Sequence, residues 1–422
     1  MTLVTWMDRF AEWLTLRRIR THALILALCL WGVCIIDYAT PGIFDRAGNI
    51  KFQDFIQFHV AARLIALGRA GELYNPQVLT NAVREIAGPD SKVQLQYFYG
   101  PQVALPFLLI TPLSFLHQAE LWVAISLLIY FACIYALWRT CPALKRYPGL
   151  VALCAVAYPP VYHFFVRGHL SVVPLACFTA AFLALRARRQ WLAGIALGLL
   201  FVKPPILVAI PLILIFAGAW RILTGLVIST GAQLAFAYFC FGTEVMRSYF
   251  HMLLQSARQP GTTELALSPI QMHSLRSFWG LLIPSSAWVW PFYLLTSFAV
   301  IGIAARIWNS ASPLAIRFAG LVLASALVNP HLYIYDLLVL APALLLLVDW
   351  SLANSGHDSA SAIGGFVYLS FTLPLIGPVS RWTHLQLSVL AFAALLCVLA
   401  QLSPKPGRPS AQKLATAETA VV

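Results

Sequence analysis

Residues 191–215 read WLAGIALGLLFVKPPILVAIPLILI and carry one charge, Lys203, followed at once by Pro204 and Pro205. A run this apolar belongs in lipid, where a charge at a helix centre costs roughly 2.5–3.5 kcal/mol. Two readings of Lys203 follow. Its amine snorkels to an interface, or the prolines open the backbone and the lysine faces an anion in a lined cavity. In either case the stretch reads as two apolar helices, near 191–202 and 204–219, meeting at a polar break.

The rest of the chain repeats this pattern. Of 422 residues, 60% are hydrophobic and only 10% are charged. Apolar runs recur near 22–38, 119–138, 150–166, 169–186, 221–241, 287–305, 315–328, 333–348, 361–377 and 384–402. The expectation is an all-α polytopic membrane protein with about twelve crossings. Residues 1–402 read as a single integral membrane domain, and 403–422, low in apolar content and without periodicity, as a disordered cytoplasmic tail.

The formal charge of +13 would suggest nucleic acid in a soluble protein. Here the basic residues cluster in short loops (Arg17, Arg18 and Arg20; Lys145 and Arg146; 186–190; Arg306 with Arg317), which is the signature of topology, so no nucleic-acid partner is expected. Alternation from a cytoplasmic N-terminus sets five polar stretches on the other side: 39–100, 166–171, the break at Lys203, 242–275 and 329–336. Pro101 to Leu116 and Arg276 to Pro284 are too broken to cross and read as segments that dip into the outer half and return. The eight cysteines lie in or beside apolar runs without metal-site spacing and read as packing residues.

The unusual polar residues gather on that outer side. In KFQDFIQFHVAARLIALGRAGELYNP (51–76), Phe55, Phe58, Ala62 and Ile65 recur at helical spacing, as in an amphipathic helix on the membrane surface. Asp54, just before it, suits an N-cap. Aromatic residues at 97–99, Tyr99 among them, precede the proline-broken segment. Arg167 and His169 sit in a turn, Arg276 ends the 242–275 loop, and NPHLYIYD (329–336) brings Asn329, His331 and Asp336 to the mouth of an apolar run. Two arginines and one lysine converging there suit a phosphate.

In order, DFIQFHVAARLIALGRAGELYNP, YFYGPQVALPFLLITPLSFL, GHLSVVPLACFTAAFLAL, WLAGIALGLLFVKPPILVAIPLILI and NPHLYIYDLLVLAPALLLL resemble glycosyltransferase family 87 over roughly residues 22–350. The resemblance implies a GT-C-like fold with external juxtamembrane helices in the first large loop. It implies sugar transfer from a polyprenyl-phosphate donor, of mannosyl or arabinosyl type, to a glycolipid or glycan acceptor. The expected setting is a bacterial inner membrane, with membrane lipids around the protein and the active site on the periplasmic face. Asp54 is then the catalytic base. The substrate-binding candidates are Lys203, Arg276, His331, Asp336, His169, Asn329, His59 and Tyr99. His169 stands where relatives carry Gln, and His59 where an aromatic often follows Phe58. No metal ligand set or cofactor is implied, since a lipid phosphate is already a leaving group. A transporter or flippase of an anionic lipid-linked substrate would also explain broken helices and an intramembrane lysine, and a non-catalytic scaffold would explain the apolar bulk.

Overall fold

A computed structural model describes residues 10, 12–91, 93–258 and 269–403. It is helical throughout, and among the described residues no strand forms beyond two isolated bridges. Helices are what lipid demands, because each backbone group must find its partner within its own segment. Beyond Ser403 the expected tail lies outside the described residues.

The helices are α1 (Leu16–Tyr38), α2 (Ile56–Ala66), α3 (Pro76–Ala87), α4 (Phe115–Trp138), α5 (Pro148–Ala157), α6 (Pro159–Arg167), α7 (Val172–Arg186), α8 (Gln190–Gly198), α9 (Ala209–Phe216) and α10 (Trp220–Arg258). They continue with α11 (Leu275–Leu282), α12 (Ser286–Trp308), α13 (Leu314–Val328), α14 (Ala341–Ala353), α15 (Asp358–Thr372) and α16 (Leu387–Leu402). Large apolar side chains stand exposed along the outer faces, among them Leu28 and Ile35 of α1, Leu128 of α4, Phe239 of α10 and Leu295 of α12. A soluble surface rarely tolerates so much exposed apolar area, so this belt is the lipid-facing surface of a multi-pass membrane protein.

Among the described residues six helical segments are long and apolar enough to cross: Leu16–Tyr38, Phe115–Trp138, Trp220–Gln255, Ala287–Trp308, Ile334–Ala353 and Ser359–Thr383. The pair α5 and α6, bent by 48°, makes a seventh if counted as one span. This differs from the expected twelve for a reason of length. Gln190–Val202 and Pro204–Phe216 are separate short helices; at 1.5 Å per residue each reaches about 20 Å, short of a hydrocarbon core of roughly 30 Å. The fifteen-residue α13 is also short, and it is buried on every side from Phe318 to Val328. A helix apolar all round is a core helix.

Two loop readings change. The stretch from 242 onward is not loop at its start: α10 continues past a break at Gly242 (φ 75°) as far as Arg258, and residues 259–268 lie outside the described set. The apolar face of the helix led by Asp54 packs on protein, while Arg63 and Ala66 on its other face are exposed. Ile56, Phe58, Val60, Ala61, Ala62 and Leu64 of α2 are all buried, in a second apolar cluster with Tyr97, Tyr99, Phe107, Phe115 and Val245. The proline-broken segment supplies the single turns Pro101–Ala104 and Leu105–Leu108 to the same cluster.

The break at Lys203 is held in place by small residues. A side-chain carbon on Gly194 or Gly198 of α8 would run into the backbone of α10 at Ile222 or Leu226, and one on Gly225 into Trp191. Close approach through small residues is how helices associate without a hydrophobic driving force. Gln233 of α10 then donates to the Gly198 carbonyl at 2.9 Å. Replacing Gly198 with Leu is expected to separate these helices and destabilise the protein by about 1–3 kcal/mol, the usual range for overpacking. A lowered thermal transition in detergent, with no such loss for the open Gly231→Leu, checks this.

Candidate functional site

The first part of the site is a docked turn. Phe52 adopts a left-handed conformation (φ 53°), and its N–H donates to Val166 O at 3.2 Å. Gly168 ends α6 in the same conformation, and a side-chain carbon there would press on Phe55 and Phe52 at 2.9 and 3.2 Å. Only glycine allows both the turn and the approach. This contact brings Asp54 to the end of α6, where its Oδ1 lies 3.5 Å from Arg167 Nη1.

Asp54 does not cap α2. It sits in the 3-10 turn Gln53–Phe55, the N-cap position belongs to Phe55, and no side chain caps the helix there. The carboxylate is therefore free of that duty, and its Oδ2 is buried with no hydrogen-bond partner among the described residues. Burial raises its pKa above the ordinary carboxylate range; Arg167 and Lys203 oppose the rise and the Asp336 charge adds to it.

The second part is a buried ion pair. Lys203 follows the 3-10 turn Leu199–Val202 and precedes Pro204. Its side chain is only 9% exposed, and its Nζ lies 2.5 Å from Asp336 Oδ1. Snorkelling is thus ruled out: the amine points inward to a carboxylate. The capping role read for Asp54 falls to Asp336, whose Oδ2 accepts the Tyr333 N–H at 3.2 Å, at the head of the 3-10 segment Ile334–Leu340.

A directed chain of hydrogen bonds runs from the ion pair back to the turn that follows Gly168. Ser171 Oγ donates to Asp336 Oδ1 at 3.1 Å and also meets His169 Nδ1 at 2.8 Å. Since the serine proton goes to the carboxylate, His169 must carry its proton on Nδ1. Its Nε2 then accepts from the Tyr99 hydroxyl at 2.9 Å. Burial, with Lys203 and Arg167 nearby, keeps the imidazole neutral. Across the same space run four rings in series: His169 and Tyr335 (4.2 Å between centroids), Tyr335 and Tyr333 (5.4 Å), and Tyr333 and His331 (4.8 Å). Arg167 and Lys203 face the Tyr335 ring at 5.9 and 5.5 Å, within cation–π range.

The remaining candidates divide. Asn329 Oδ1 accepts the His331 N–H at 2.9 Å, and both Asn329 Nδ2 and His331 Nδ1 are buried without a hydrogen-bond partner among the described residues. Burial, together with Lys203 and Arg276, pushes the His331 imidazole down to about 3. Arg276 stacks on Trp290 at 5.0 Å. It is tied to the 329–336 loop because Met272 bridges Tyr333 and His273 N–H donates to Leu332 O. His59 does not join the cluster: its Nδ1 pairs with Gln118 at 2.9 Å and its ring meets Phe115.

Arg167, expected with Arg276 and Lys203 to suit a phosphate, lies beside Asp54, while Ser171 and Tyr335 belong to the cluster without having been singled out. The polarity of VRGHLS, set between two apolar runs, is the available signal for Ser171. Nothing in the sequence marks Tyr335 as the ring between the cations, because an aromatic at a membrane boundary ordinarily reads as an anchor.

A multi-pass bundle that buries a lysine–aspartate pair and a directed polar network at broken helix ends, with a half-buried aspartate and a more exposed arginine beside them, defines a membrane protein with an internal polar site. The pattern of glycosyltransferase family 87 matches residues 97–330, more than half of the chain, so the chain belongs to that family of membrane glycosyltransferases. No curated protein and no solved structure matches. The matched region contains Tyr99, Arg167, His169, Lys203, Arg276 and Asn329; Asp54, His331 and Asp336 lie outside it.

The ion pair gives a testable energetic statement. Removing one partner of a buried pair typically costs about 3–5 kcal/mol, whereas removing both is far milder. Lys203→Met and Asp336→Asn are each expected to lower the thermal transition in detergent strongly, and the double variant to recover much of the loss. A double variant showing the sum of both losses would mean that the pair is not the source of the stability.

Proposed function

We propose that the chain transfers a sugar from a polyprenyl-phosphate donor to a hydroxyl of a glycolipid or glycan acceptor, with Asp54 as general base, at the extracytoplasmic face of a bacterial inner membrane. In this reading the protein is one integral membrane unit of GT-C type. The observation that carries it is the contrast between two carboxylates in one electrostatic neighbourhood. Asp336 spends its oxygens on Lys203, Ser171 and Tyr333 N–H. Asp54 keeps a buried oxygen without a partner, and a raised pKa, as a base working near neutral pH requires.

In the proposed step Asp54 Oδ2 takes the acceptor hydroxyl proton and the acceptor oxygen forms a bond to the anomeric carbon. The bond from that carbon to the phosphate oxygen breaks, and the electron pair leaves with the lipid phosphate. Arg167, Lys203 and Arg276 supply positive charge for that developing anion. His331 and Asn329, each with a buried polar atom unpaired, are the groups that hydrogen-bond the sugar. His169 and Tyr99 hold the wall from behind, and His59, outside the cluster, is left to fix α2 on α4. The phosphate is a competent leaving group, so the step is proposed without a cofactor.

Purified protein incubated with polyprenyl-phosphate mannose, arabinose or hexosamine and a lipid extract is expected to give a glycosylated lipid. Asp54→Asn is expected to lower kcat by roughly 10²–10⁴, the usual contribution of a positioned base. Full transfer by that variant would remove Asp54 from the chemistry. Movement of the lipid-linked sugar across proteoliposomes with no transfer product would replace the reaction with transport.

The raised pKa of Asp54 fixes the sign of the pH dependence. Only the ionised carboxylate accepts a proton, so kcat/KM should fall as pH drops through a value above the ordinary carboxylate range of about 4. Arg167→Gln removes a charge that favours ionisation, so it should move that limb to still higher pH. A shift to lower pH would contradict the assignment.

A further inference from the structure

At the Leu16 end of α1, remote from Asp54, a cavity of about 450 Å³ opens between α1, α4, α5, α14 and α15. Its walls are mostly apolar, with Leu16, Ile19 and Leu26 on one side and Ala155, Leu344 and Gly364 on the other. A smaller hollow formed by Thr15, Arg17, Arg18, Thr21 and His22 adjoins it and shares His22, whose Nδ1 pairs with Tyr368 Oη at 2.7 Å.

Three features point to one kind of occupant. From Leu16 to Leu26 the cavity follows ten residues of α1, a rise of about 15 Å, half of a roughly 30 Å hydrocarbon core. That is the depth of one leaflet. The rim is cationic: Arg17, Arg18 and Arg20 open α1, and the exposed Lys145 and Arg146 flank Leu144 and Tyr147 of the opposite wall. Against these stand Glu12, Asp349 and Asp358 in the same stretches, and Asp349 is engaged in accepting the Leu144 N–H at 3.1 Å. Finally, the groove is not the Asp54 site. Lys51 Nζ donates to Tyr38 O at the far end of α1, and the twenty-three residues of α1 separate the two ends by about 33 Å.

We propose that this groove is a binding site for an anionic diacyl phospholipid of the leaflet on the arginine-bearing side. One acyl chain fills the cavity and the phosphate rests on Arg17 and Arg18 at the start of α1. Arg18 gives one N–H to Trp13 O at 2.6 Å, and its guanidinium has further donors for a phosphate. The site stands apart from the transfer reaction and does not depend on it.

The test reconstitutes the full chain in phosphatidylcholine vesicles containing equal mole fractions of photoactivatable phosphatidylglycerol or photoactivatable phosphatidylcholine, with adducts mapped by mass spectrometry. Phosphatidylglycerol adducts are expected on α1, α5 and α15, exceeding phosphatidylcholine by about fivefold for each basic residue engaged. Arg17→Gln with Arg18→Gln should equalise the two lipids. Gly364→Leu, whose new side chain starts from ordinary contact with Ser351 and enters the cavity, should remove the adducts while leaving the gel-filtration profile unchanged. Equal labelling of the unaltered chain by both lipids would overturn the proposal. So would stronger labelling by a photoactivatable polyprenyl phosphate, or an unlabelled groove in a protein that elutes as a dimer.

Discussion

Lys203 and Asp336, 133 residues apart in sequence, meet inside the bundle, where either charge left alone would be strongly destabilising. Each stands at a break in helical structure, where free backbone groups already need partners. The lysine needs the carboxylate, and the carboxylate also needs Ser171 and the Tyr333 N–H. Satisfying all of them fixes the end of α8, the Gly168–Ser171 turn and the start of the Ile334–Leu340 segment relative to one another. The polar site is therefore the consequence of a bundle that breaks three segments at one place and must then pair what the breaks expose.

This constraint also separates the roles of the two carboxylates. An aspartate held by an ammonium, a hydroxyl and a backbone amide has both oxygens engaged and little capacity left. Asp54 meets Arg167 at 3.5 Å through one oxygen and leaves the other without a partner in a buried position. A buried unsatisfied polar atom costs about 1–3 kcal/mol, and a fold retains that cost most readily at a site that uses it. The left-handed Phe52 beside it fits the same account, being a strained residue pinned by the α6 carbonyl at Val166.

The sequence made the membrane class legible because composition and run length decide it. Lys203 was legible as an anomaly, although its partner was not, since pairing across 133 residues leaves no local trace. The crossing count was less legible: each proline-bounded apolar window resembles a span, whereas among the described residues six helices, or seven with the bent pair, are long and apolar enough to cross, and Gln190–Val202 and Pro204–Phe216 are separate short helices. Asp54 misled in the opposite direction. An aspartate before a helical pattern has the same local appearance whether it caps the helix or enters a 3-10 turn and faces elsewhere, and Asp336, inside an apolar run, proved to be the one that caps.

The hydrogen-bond chain Tyr99, His169, Ser171, Asp336 carries one more consequence. Its direction runs outward from Asp336, because the Ser171 hydroxyl gives its proton to that carboxylate. Each donor in turn has its proton committed, so His169 presents no free ring nitrogen to a substrate, and Tyr99 no free proton. Although His169 lies at the centre of the cluster, it is a poor candidate for acid or base chemistry. It is better understood as a spacer that holds Tyr335 at 4.2 Å and keeps the faces of Arg167 and Lys203 on that ring. His331 is the opposite case: its Nδ1 is buried and unpaired and its ring is neutral above a pH of about 3. Of His169 and His331, it is the one with capacity left for a ligand.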